Sequence, residues 1–97
     1  MTTIQLTGHG IEITPTLHDH VHKKFERVQK HSDSITNIHV YLSVDNLVQT
    51  AEATIHVPGP EIFASAESED MYKTIDLLTN KIIRQLEKYK AKHDKKH

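Results

Sequence analysis

From Ile38 to Glu67 the hydrophobic residues of this chain recur every second position, whereas over Leu17 to Val28 and Met71 to Tyr89 they recur every three or four. Ile38, Val40, Leu42 and Val44 alternate with His39, Tyr41, Ser43 and Asp45. Ala51, Ala53, Ile55 and Val57 continue the alternation after a turn near Asp45-Asn46, and Ile62, Ala64 and Ala66 continue it after Pro58-Gly59-Pro60. Alternation of period two places one set of side chains on one side of a strand and the other set on the opposite side. Three such strands joined by short turns predict an antiparallel meander with one apolar face.

The flanking segments obey the helical period. Leu17, Val21, Phe25 and Val28 form a narrow stripe that begins after Thr14-Pro15, a strong helix start, and should end near His31. Met71, Ile75, Leu78, Ile82, Leu86 and Tyr89 form a second stripe. Ser68 is the expected cap of that second helix, with Glu69 and Asp70 at its positive end, and the pattern should fade beyond Tyr89 into a flexible tail over about residues 91–97. Ile4 and Leu6, alternating with Gln5 and Thr7, predict a short opening strand that ends at Gly8-His9-Gly10. The expected fold is α+β, in the order β-α-β-β-β-α. Two helices pack on one face of a four-stranded mixed sheet, the first strand parallel to the second through a right-handed crossover. Ninety-seven residues suffice for a single domain, 1–97. The many alanines on the apolar face would let a helix approach the sheet closely.

Charge is distributed as unevenly as hydropathy. Between Ser32 and Tyr72 there are seven carboxylates and no Lys or Arg, whereas Lys73 to His97 holds eight basic residues against three acids. A net charge of −1 hides this asymmetry, which points to a polyanionic partner. On the last helix Lys81, Arg84, Lys88, Lys92 and Lys95 recur at spacings that confine them to a sector of roughly 80°. That row contains no acid, unlike a solvated helix face with interleaved signs. On the first helix Lys23, Lys24, Arg27, Lys30 and His31 cluster beside the apolar stripe. Helices packed side by side would raise both rows from one surface and form a basic groove between them, wide enough to follow a phosphate backbone.

Other chemistry finds little support. Nine histidines invite a metal reading, and His18 and His22 have the spacing that lets two imidazoles share an ion. No third ligand converges on them, so exposed histidine near a basic surface is the expectation and no metal site is assigned. Gly8-His9-Gly10 has no phosphate-loop sequel, the serines lack an elbow motif, and Asp70 and Asp76 fall on different helical faces. Neither catalytic residues nor a cofactor is expected. There are no cysteines, no run approaches the length of a membrane span, and Met1 to Leu6 does not read as a signal peptide. A cytoplasmic protein is therefore expected.

The run from Ala53 to Asp76, ATIHVPGPEIFASAESEDMYKTID, followed by Lys81-Ile-Ile-Arg-Gln-Leu-Glu-Lys88, resembles the ribosome hibernation-promoting factors, also called the ribosome-associated inhibitor or sigma-54 modulation family. Gly8, the stretch Ile11 to Thr14, Lys24-Phe25 and Arg27 fit the same pattern, so the likeness covers essentially the whole chain. The resemblance implies binding to the small ribosomal subunit and its 16S rRNA in the channel of messenger and transfer RNA. It also implies inhibition of translation and, in stationary phase, promotion of inactive ribosome dimers. By motif position it assigns rRNA contact to Lys24, Arg27, Lys81, Arg84, Lys88, Lys90 and Lys92; helical geometry adds Lys23 and Lys30. Because the chain stops soon after the helix, the likeness is to the short form, a monomer acting with a separate ribosome modulation factor. Two competing readings are a generic double-stranded RNA-binding module and a protein-interaction module that modulates a sigma factor.

Overall fold

The computed structural model describes the backbone of residues 3–59 and 61–94, and side chains as far as Tyr89. The elements run β1 (Thr3–His9), α1 (Pro15–Gln29), β2 (Asn37–Asp45), β3 (Val48–His56), β4 (Ile62–Ser68) and α2 (Met71–Asp94). They form one sheet of order β1-β2-β3-β4, with β1 parallel to β2 and the other pairs antiparallel. This is the β-α-β-β-β-α mixed sheet with two helices that the change of period predicts.

Every alternation resolves into an inside and an outside. Ile38, Val40 and Leu42 of β2, Ala51, Ala53 and Ile55 of β3, and Ile62, Ala64 and Ala66 of β4 are buried beneath the helices. Leu17, Val21, Phe25 and Val28 face them from α1, and Met71, Ile75, Leu78, Ile82 and Leu86 from α2. The two halves of this core are built differently. Over β3 and β4 the inner row is mostly alanine, so α2 lies close to those strands. Its partner α1 makes its closest backbone approach to α2. There the space is filled by Phe25 and the branched residues of β2, all fully buried.

Turn chemistry sets the register. Thr14 caps α1, its hydroxyl accepting from the Leu17 N–H at 3.2 Å, with Pro15 at the first helical position. The two-residue β2–β3 turn places Asn46 at φ 57°, a conformation that Asn tolerates better than most residues. Gly8 occupies the inward row of β1; a Cβ there would lie 2.9 Å from the Ile11 carbonyl oxygen and from Ile13 Cδ1. That missing side chain lets the loop after β1 fold back across the strand.

Two expectations about α2 are corrected. Its N-cap is Asp70, whose carboxylate accepts from the Tyr72 N–H at 3.1 Å while its carbonyl accepts from the Thr74 N–H at 2.8 Å. Ser68, the expected cap, instead bonds the hydroxyl of buried Thr74 at 2.6 Å and so ties the end of β4 to the first turn of the helix. The helix also continues to Asp94, beyond the Tyr89 at which the apolar stripe stops. At 24 residues it is about 36 Å long, whereas the seven-residue β4 spans roughly 23 Å, so the last turns extend past the sheet. The remainder of the expected tail, residues 95–97, lies outside the described residues, and no helix among the described residues is long and apolar enough to cross a membrane.

Candidate nucleic-acid interface

Every described Lys and Arg sits on α1, on its C-cap Lys30, or on α2, and the four strands contain none. Strand direction decides how these cations are grouped. Because α1 connects two parallel strands, it runs back along them. α2 likewise folds back over β4: Lys81, Gln85 and Tyr89 bond the carbonyls of Ser65, Phe63 and Pro58 in reverse order along the chain. The two helices are therefore parallel, and their C-terminal halves lie at the same end of the molecule. Lys23, Lys24, Arg27 and Lys30 share that end with Lys81, Arg84 and Lys88. Cations near helix C-termini are also favoured by the helix dipole.

The seam between the helices is not where the cations of α2 point. Asp76 occupies it, accepting from Nε2 of His20 at 3.0 Å and pairing with Nζ of Lys24 at 3.4 Å. His20 also meets Tyr72 edge-on, with ring centroids 4.9 Å apart. Lys81 lies five positions from Asp76, roughly 140° around the helix. Its Nζ accordingly reaches the other way, donating to the Ser65 carbonyl on the free edge of β4 at 2.7 Å. Lys73 and Arg84 stand between these directions, about 60° and 80° from the Asp76 line. Both are exposed, as is Lys88.

The expected groove walled by two facing basic rows is thus corrected. Lys24 of α1 leans into the seam while Lys23 and Lys30 stand on the crest of that helix. The α2 row begins at the crest of its own helix and descends to the β4 edge. The result is a predominantly cationic belt across the outside of the helix layer, interrupted at the seam by Asp76 and on the exposed helix surfaces by Asp19 and Glu87. The physical reason is that α2 must bury Leu78, Ile82 and Leu86 against the sheet, which fixes its rotation and carries Lys81 with it. Lys90 and Lys92 fall on the last turns of α2, where the backbone but not the side chains belongs to the described part.

Two roles were not legible from residue spacing. Lys81 and Gln85 occupy outward carbonyls of β4 and so blunt an edge strand open to pairing with another chain. Asp76 holds α1 to α2 through partners more than fifty residues earlier in the chain. Only His20 and Lys24 on one side of a helical wheel hinted at the second role. His18 and His22 stack at 4.2 Å between ring centroids, and among the described residues no group of three metal-ligating side chains converges.

The chain and its fold have known relatives. A family model described as sigma 54 modulation protein / S30EA ribosomal protein matches residues 4–94. The chain belongs to that family. The ribosome hibernation promoting factor of Azotobacter vinelandii is 46% identical over 89 residues, covering 92% of this chain and 83% of that protein. The factor of the same name from Escherichia coli K12 is 44% identical, covering 92% and 94%. Among solved structures, a ribosomal subunit interface protein from Coxiella burnetii superposes with a TM-score of 0.87 at 46% identity, covering 92% of this chain and 98% of its own. The N-terminal domain of Protein Y from Thermus thermophilus superposes at 0.83 with 28% identity, covering 92% and 99%. Family membership makes this chain a ribosome-associated hibernation factor, as the run from Ala53 to Lys88 suggested.

Proposed function

We propose that the chain binds the small ribosomal subunit in its messenger and transfer RNA channel, with the helix layer against 16S rRNA, and thereby blocks translation. Lys23, Lys24, Arg27, Lys30, Lys81, Arg84, Lys88, Lys90 and Lys92 are the contacting residues of this reading. The observation that supports it is the confinement of all described Lys and Arg to the helix layer. Such contacts neutralise phosphates and fix orientation without reading sequence, so selectivity comes from the shape of the RNA cavity. In this reading the bound protein acts as a monomer in the cytoplasm and favours inactive ribosome dimers together with a separate modulation factor. No chemistry on a substrate is involved.

Co-sedimentation with purified small subunits tests the proposal. Arg84→Glu with Lys88→Glu should abolish association while leaving the circular dichroism spectrum unchanged. Adding Lys81→Glu should not be needed, which keeps the edge-capping role of Lys81 out of the measurement. Undiminished pelleting of the double variant would contradict the belt. A sucrose-gradient profile with and without the modulation factor then reports dimer formation.

A further inference from the structure

The sheet face turned away from the helices is unlike the rest of the molecule. Its outward residues include the exposed rings of Tyr41 (42% accessible) and Phe63 (57%), the carboxylates of Asp45, Glu52 and Glu67, and no cation of Lys or Arg. The register places three of these together. Tyr41 on β2 stands directly opposite Glu52 on β3. Phe63 on β4 stands opposite Thr54, one step diagonal from Glu52. Direct cross-strand neighbours have Cβ atoms about 5 Å apart and diagonal ones about 7–8 Å, so both rings are within reach of a group held at the Glu52 carboxylate.

The patch is prepared on one side and unsatisfied on the other. The Tyr41 ring is stacked on His39 at 4.1 Å with 14° between planes, and the Tyr41 hydroxyl and His39 Nδ1 are 3.2 Å apart. His39 Nε2 in turn contacts the Thr7 hydroxyl at 3.3 Å. Glu52, by contrast, has no hydrogen bond or ion pair among the described residues, and Glu67 lies diagonal to it.

We propose that Tyr41, Glu52 and Phe63 form a receptor for an arginine side chain carried by an extended, basic segment of a protein partner. Charge complementarity selects this occupant. The uncompensated carboxylates repel phosphate, which removes the aromatic rings from use as a base-stacking platform. A guanidinium fits better than an ammonium, because its planar fork takes a carboxylate in two hydrogen bonds and stacks on an aromatic face. The proposal stands apart from the rRNA reading: it uses the opposite face and a partner of opposite charge.

Titration of the isotope-labelled full chain with a short synthetic peptide alternating Arg and Ser tests this by amide chemical shifts. The expected shifts centre on Tyr41, Glu52 and Phe63 and leave α2 unmoved. Glu52→Gln should weaken binding about two- to fivefold, the value of an exposed ion pair. Tyr41→Leu should weaken it by a similar factor, about two- to fivefold, by removing the cation–π contact. The analogous Lys-Ser peptide should bind more weakly. Shifts spread over Asp33, Glu61 and Asp70 and indifferent to both variants would mean diffuse attraction and overturn the receptor. So would equal affinity for the lysine peptide, absence of binding, or tighter binding of single-stranded oligouridine to the same residues.

Discussion

The two faces of the same four strands have been put to opposite uses. The inner face is closed: Ile38, Val40, Leu42, Ala51, Ala53 and Ile55 are fully buried, and the helices above them carry the positive charge outward. The outer face is open, bears rings, hydroxyls and carboxylates, and has no Lys or Arg. A slip of one residue in register would exchange the two sets, so the alternation itself keeps the cationic layer and the acidic layer on opposite sides of the protein. A nearly neutral chain thereby presents two surfaces of contrary sign.

The largest effect that could break this contrast is on stability. Phe25→Ala removes the ring that fills the space beneath α1, and should lower the unfolding free energy by about 3–5 kcal/mol in urea titration. Phe63→Ala, on the open face, should change it by less than about 0.5 kcal/mol. Comparable losses at both sites would mean that the outer face is covered in the folded protein.

Salt sharpens the electrostatic side of the comparison. If about five phosphates are neutralised by the helix layer, the log–log slope of ribosome affinity against salt should be roughly −3.5 to −4.5. Affinity should then fall on the order of a hundredfold between 50 and 200 mM salt. A flat response, measured by filtration binding to small subunits, would remove phosphate contact as the source of affinity.

Smaller effects test how the helix layer is held. Asp70→Ala should destabilise by about 1 kcal/mol through loss of the α2 cap, whereas an unaffected melting curve would return the capping role to Ser68. Asp76→Asn should cost no more than about 1 kcal/mol, since the Lys24 pair is partly exposed. The same change should tighten ribosome binding slightly, because it removes the carboxylate that interrupts the belt at the seam. Weaker binding would instead show that the seam orients Lys24 for its contact.

Ile4 and Leu6, the alternation from Ile38 to Glu67, the two helical stripes and the placement of charge were sufficient to determine the element order, the buried rows and the sign of each surface. Those properties follow from period and composition, which are local. Which side chains of a strand or helix share a face needs no knowledge of distant residues. The likeness in the run Ala53 to Lys88 carried the family for the same reason, since it is a property of neighbouring residues.

Tertiary structure alone decided where Lys81 points, which residue caps α2 and what fills the seam. Each depends on the rotation of one helix against a surface assembled from residues far away in the chain. Lys81 turns to the β4 edge because Ile75, Leu78 and Ile82 must meet alanines on β3 and β4, and Asp76 then falls beside His20 and Lys24. Packing fixed that angle, and a helical wheel drawn from sequence has no origin from which to measure it.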